Sequence, residues 1–191
     1  RYVEKTTKTY MPEMNPMMIY RLDRFGRGGH HRPFNDLGFS GVRIMEAHEN
    51  YNRQHQNVRT ENGIKYGDVL EGVNFEYAKK LTTVNAINLA SLAWAPPAPK
   101  NVQIGGIVQA NVKLKWDKTE DDNTLGYKIY WRLTTSSQWE FSRFVGKTDN
   151  FELEGIVIDN YYFGVAAVGK NSNESLVVFP NDIIKETFRK R

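Results

Sequence analysis

The chain predicts two folds in succession, an α/β portion and then an all-β sandwich. Three observations carry this. Apolar residues recur every three to four positions from about residue 74 to 94, the period of an amphipathic helix. From Val112 onward the period falls to two, as in half-buried strands. Between them stands Ala95-Pro96-Pro97-Ala98-Pro99-Lys100. Its prolines cannot continue a helix and favour extended backbone.

Element by element, the first residues read as the tail of a helix. Met17-Met18-Ile19-Tyr20-Arg21-Leu22 reads as a buried strand, and Phe25-Gly26-Arg27-Gly28-Gly29 as a glycine-rich loop. Residues 32–37 read as a short helix stopped by Gly38, and 42–46 as a second strand. Residues 47–72 read largely as loop. In the following helix Phe75, Ala78, Leu81, Val84, Ile87 or Asn88, Ser91 and Leu92 mark the buried face, with Asn74 as N-cap. This order is α/β. Two strands with their helices make half a sheet, so further strands are expected before Arg1. The expected organisation is an α/β portion over 1–95, a linker over 96–100, a sandwich over 101–180 and a basic tail over 181–191.

In the second half Val112-Lys113-Leu114-Lys115-Trp116 alternates, and so does Tyr127-Lys128-Ile129-Tyr130-Trp131-Arg132. Residues 139–145, 161–168 and 175–179 add further strands, with turn-forming clusters between. About seven strands in ~85 residues predict a β-sandwich. The proline entry, Val102, Leu114 with Trp116, the Tyr127 strand and Tyr161-Tyr162-Phe163-Gly164-Val165-Ala166-Ala167-Val168 resemble a fibronectin type III domain in their order. That resemblance implies Trp116 as the core tryptophan, Tyr161 as a tyrosine corner, and Ile156 or Ile158 in the apolar position before it. Such modules serve as spacers or recognition surfaces. Tyr130, Trp131, Trp139 and Phe141 are either core and incidental surface or a carbohydrate-stacking face.

Composition narrows the function classes. The 191 residues are 40% hydrophobic and 25% charged, ordinary for a globular chain. The net charge is +4, yet acidic residues interrupt the basic ones, so no basic stripe suits nucleic acid; Arg189-Lys190-Arg191 reads as a solvated tail. With no cysteine, disulfides, thiolate-bound zinc and thiol catalysis are excluded. No run approaches the ~18 apolar residues of a membrane span. The chain opens Arg1-Tyr2-Val3-Glu4, without Met or signal peptide, and reads as a piece of something longer.

All four histidines, His30, His31, His48 and His55, fall within one short stretch, near Asp36, Glu46, Glu49 and Tyr51. Neutral imidazole is the commonest metal ligand. A catalytic zinc needs about three protein ligands and an open position; a two-metal site needs a bridging carboxylate as well. No H-E-x-x-H pair is present. The stretch thus supplies candidate ligands without a complete constellation. Alone, His55 reads as a solvated loop histidine.

Gly28-Gly29-His30-His31-Arg32-Pro33-Phe34-Asn35-Asp36-Leu37-Gly38-Phe39-Ser40-Gly41, followed by Glu46 and Glu49-Asn50-Tyr51-Asn52-Arg53-Gln54-His55, resembles two segments of the co-catalytic zinc aminopeptidases, the twenty-eighth metallopeptidase family. The resemblance covers roughly residues 1–95, and the helix at 74–94 resembles the last helix of that catalytic domain. It implies the C-terminal portion of a zinc-peptidase α/β/α domain, cleavage of peptides at a free N-terminus, and two zinc ions in the parent enzyme. His55 takes the place of a metal ligand. His31 supports the pocket, with Tyr51 in the second segment. The chain departs from the pattern at three places. His30 stands where the family has Asp, Phe25 lies near a family tyrosine so that its hydroxyl is missing, and Arg59 replaces an Asp. His48 matches nothing. The remaining ligands and the glutamate base would precede Arg1, so no catalytic residue is expected within these 191, which should bind zinc poorly and be inactive alone. The partners implied are a peptide substrate and the missing N-terminal part or a swapped copy, and the location implied is secreted or periplasmic. The competing readings are a non-catalytic, receptor-like binding protein on the same scaffold, and a sandwich that binds carbohydrate or protein.

Overall fold

The computed structural model describes residues 1–185, so the basic cluster at 189–191 lies outside the described residues. The described residues form two compact units: Thr6–Ile87, and Arg1–Lys5 together with residues 88–185. The expected break near residue 95 therefore differs from the observed one, because the first turn of one helix and the last turns of another belong with the sandwich.

The helices follow their local signals. α1 spans Tyr2–Tyr10, α2 His31–Asp36 and α3 Phe75–Ala93. Asn74 caps α3, its Oδ1 accepting the Tyr77 N–H at 3.0 Å. Val84, Asn88 and Ser91 are buried along α3, whereas Phe75 is exposed, so the buried stripe starts later than its first turn. α2 stops where Gly38 adopts φ +84° and its N–H returns to the Asn35 carbonyl at 3.0 Å, the left-handed closure that favours glycine.

The two strands expected at 17–22 and 42–46 do not form. A strand is held by a ladder of hydrogen bonds to a neighbouring strand, and among the described residues neither segment belongs to a sheet. Met17 and Ile19 are more than 60% exposed. A β-hairpin appears instead within the expected loop of residues 47–72: β1 (Arg59–Glu61) pairs antiparallel with β2 (Ile64–Tyr66). Asn62 (φ +49°) and Gly63 (φ +78°) turn it, both in the left-handed region that a two-residue hairpin turn requires.

The sandwich is built from β3 (Lys100–Gly105), β4 (Val112–Asp117), β5 (Thr124–Leu133), β6 (Phe141–Gly146), β7 (Asn150–Leu153), β8 (Tyr161–Gly169) and β9 (Asp182–Ile183). One sheet has the order β7-β4-β3-β9, the other β6-β5-β8. Residues 175–179 extend the second sheet, with Val165 and Val178 exchanging two 2.9 Å hydrogen bonds. The chain then crosses to the first sheet, where β9 runs parallel to β3. The supposed tail at 181–191 thus begins with a strand.

Alternation along β4 and β5 sends Val112, Leu114, Trp116, Tyr127 and Ile129 into one core with Val102, Leu153, Phe163, Val165 and Ala167. Trp116 is 1% exposed, its ring 5.4 Å from that of Tyr127. Ile156 and Ile158 both pack on this core. Tyr161 opens β8 and lies between Phe141 and Phe163. Among the described residues no helix is long and apolar enough to cross a membrane.

Candidate functional site

The loops that carry the histidines are joined by charge. Glu49 is nearly buried. Arg24 donates to its two oxygens at 2.6 and 3.3 Å, and Gln54 adds a third bond at 3.3 Å. Arg27 and Arg43 each lie 3.8 Å away. The Arg24 hydrogen bonds outweigh desolvation and hold the Glu49 carboxyl at about 2. Beside it, the Arg24 N–H donates to Asp23 at 2.7 Å and keeps that carboxyl below its ordinary range. One network therefore fastens residues 23–27 to residues 49–54.

His31 opens α2 next to this network. Its Nε2 is 3.2 Å from the Leu22 carbonyl and 3.8 Å from Asp23 Oδ2. The carbonyl accepts, so the proton sits on Nε2, and the buried Nδ1 has no hydrogen-bond partner. His30, His31, Phe34, Phe39, Ser40, Gly41 and Val42 line an open depression of about 500 Å³. Tyr51 is exposed and accepts a 3.4 Å bond from Arg24. Phe25 is fully exposed.

His55 is exposed and sits at φ +54°, in the left-handed region that histidine enters more often than most side chains. The neighbouring backbone is fixed by the hairpin: the buried Gly67 (φ +91°) donates its N–H to the Asn52 carbonyl at 2.9 Å. A Cβ on Gly67 would meet the Val58 backbone at 2.7 Å. Arg59 pairs with Glu61 at 3.1 Å and lies over the Tyr66 ring, so it braces the hairpin.

The structure thus brings His30 and His31 to one depression and ties Tyr51 to the Arg24 network, but gathers no ligands around His55. Among the described residues no group of three or more His, Asp or Glu side chains could hold a metal. The described residues do not by themselves fit a zinc ion. His48 is exposed. The Arg24–Glu49–Asp23 network was not anticipated. Its one signal in the sequence is the density of arginine around the glycine-rich segment.

A second polar cluster lies on the sandwich, where Lys5, from the first turn of α1, meets the outer face of the second sheet. Lys5 Nζ donates to Tyr130 Oη at 2.9 Å and to Glu174 Oε2 at 2.7 Å. Tyr130 also donates to Glu174, and Lys128 does so at 3.2 Å. Arg1 Nε donates to the Ser137 carbonyl at 2.6 Å, Gln138 donates to Glu4, and Tyr2 donates to the Glu174 carbonyl at 3.2 Å. Tyr130 is 5% exposed, and Trp131 stacks on Phe141 against the core. The four aromatics considered for carbohydrate stacking therefore do not share an open face.

No family model matches the chain. Among curated proteins it is similar to a probable zinc metalloprotease of Leptosphaeria maculans, 41% identical over 94% of this chain and 42% of that protein. Another, from Pyrenophora teres f. teres, is 42% identical over 87% of this chain and 35% of its own length. A third, from Pyricularia oryzae, is 36% identical over 94% and 37%. These relatives are zinc metalloproteases by name. The chain spans about two fifths of their length. Among solved structures it is similar to the fn3 domain of human collagen alpha-1(XX) chain, 14% identical over 48% of this chain and 90% of that one, TM-score 0.38. The FN5 domain of Drosophila Lar is 20% identical over 44% and 92%, TM-score 0.35. The sandwich assignment rests on the strand topology itself.

Proposed function

We propose that this chain is the C-terminal part of a secreted, zinc-dependent aminopeptidase, with the sandwich as an accessory module. The observation that carries the reading is the 41% identity to a probable zinc metalloprotease across nearly the whole chain. The motif resemblance of residues 28–55 narrows the activity to aminopeptidase. In this reading residues 23–55 form the late rim of the active site, and His55 ligates zinc with its left-handed backbone fixed by the neighbouring hairpin. His31 and Tyr51 support the pocket. The other ligands and the base come from a preceding part of the protein. That part also supplies strands that pair with residues 17–22 and 42–46, whose apolar side chains are otherwise left in water. The substrate is a peptide with a free N-terminus.

The test is His55→Ala in the full-length parent protein. Zinc content, read by mass spectrometry of the metal, falls together with hydrolysis of an aminoacyl-nitroanilide, while the melting profile stays cooperative. Unchanged zinc content removes His55 from the ligand set. A second reading, a receptor-like protein without metals, is favoured by the departures at Phe25, His30 and Arg59. A purified parent protein that holds no zinc and hydrolyses nothing would decide for it.

A further inference from the structure

We propose that Asn173 is an acceptor for N-linked glycan. The chain contains one Asn-x-Ser/Thr tripeptide without proline at the centre, Asn173-Glu174-Ser175. It lies in the turn between β8 and residues 175–179. The backbone of Asn173 holds this turn: its carbonyl accepts the Gly169 N–H at 2.8 Å, and Ser172 N–H closes on Gly169 at 2.9 Å. Its side chain does no comparable work. Asn173 is partly buried, and no hydrogen bond to its amide occurs among the described residues. Three other asparagines of the sandwich have their amides engaged. Asn123 donates its amide to the Trp94 carbonyl, Asn101 to Asp117 and Asn111 to Glu152.

The third position adds a condition on timing. Ser175 is 4% exposed. Its hydroxyl accepts the Ala167 N–H at 2.9 Å and donates to the Leu176 carbonyl at 3.0 Å. A transferase that needs this hydroxyl reaches it only before residues 175–179 close on β8. The modification therefore belongs to the chain as it enters the secretory lumen. In the transfer, Asn173 Nδ2 forms a bond to the anomeric carbon of an oligosaccharide carried on a lipid pyrophosphate. The bond from that carbon to the pyrophosphate oxygen breaks, the lipid pyrophosphate leaves with the electron pair, and one amide proton passes to a base of the transferase.

The proposal rests on the secreted reading above, and the test separates the two by supplying the route. The full chain is expressed in yeast behind a cleavable secretory signal. Material whose signal has been removed is digested with peptide-N-glycosidase in heavy-oxygen water and analysed by mass spectrometry. The expected result is a single-glycan mobility shift, Asn173 converted to heavy-oxygen aspartate, and loss of the shift in Asn173→Gln with unchanged thermal stability. Ser175→Thr, which keeps the acceptor pattern, keeps the shift. Signal-cleaved chain with unmodified Asn173, or a shift that survives in Asn173→Gln, overturns the site. Since entry to the lumen is imposed, neither outcome bears on where the parent protein resides.

Discussion

Glu174 shows how one carboxylate joins distant residues. Burial pushes its carboxyl up, but the hydrogen bonds from Lys5 and Tyr130, with the Lys5 and Lys128 charges, leave it below its ordinary range. A group whose folded value is depressed contributes stability that is present above its unfolded value and lost as pH falls through the folded one. Unfolding midpoints should therefore fall as pH drops below the ordinary glutamate range of about 4.3. Glu174→Gln should lower stability at pH 7 by about 1–3 kcal/mol and flatten that part of the pH profile. A Glu174→Gln chain with wild-type stability at pH 7 would remove the clamp from the account. Glu49 follows the same sign. Its carboxyl near 2 lies well below the ordinary glutamate value of about 4.3, so protection from backbone exchange at residues 23–27 and 49–54 should fall progressively as pH drops from that ordinary value toward 2. Glu49→Gln should quicken that exchange at neutral pH.

At the scale of elements, caps and turns decide where helices and hairpins lie. Asn74→Ala removes the oxygen that accepts the Tyr77 N–H and should cost about 1 kcal/mol, read as faster fraying of the start of α3 by hydrogen exchange. Gly67→Ala is more severe. The added Cβ meets backbone of Val58 rather than a side chain that could swing away, and φ +91° is strained for alanine. The hairpin and the Asn52 contact must shift together. Chemical-shift changes reaching Asn52 and His55 are expected; changes confined to the hairpin would show that it does not fix the His55 loop.

For the whole molecule, the two halves differ in how well they cover their apolar surface. The sandwich buries a continuous core from both sheets, and Trp116→Ala should cost about 3–5 kcal/mol in denaturant unfolding. Thr6–Ile87 leaves Met17, Ile19, Leu22, Phe25, Phe34, Phe39 and Val42 exposed. Surface of that kind promotes association, so the isolated chain should sediment as concentration-dependent oligomers. A monodisperse monomer at high concentration would mean that these segments need no cover.

By itself the sequence determined what depends on neighbours along the chain. The Asn74 cap, the Gly38 stop, the proline break and the alternation that buries Leu114, Trp116, Tyr127 and Ile129 are all local signals, and each appears where its chemistry puts it. The Asn62-Gly63 hairpin was equally local but lay within a segment read as loop. The tertiary structure decided what depends on partners. Residues 17–22 are apolar enough for a strand, yet among the described residues no neighbouring strand forms a ladder with them. Lys5 reaching Glu174, and Arg24 reaching Glu49, join residues too far apart for any periodicity to signal. Charge alone does not choose a partner; the fold does, by fixing which opposite charges meet where water is largely excluded.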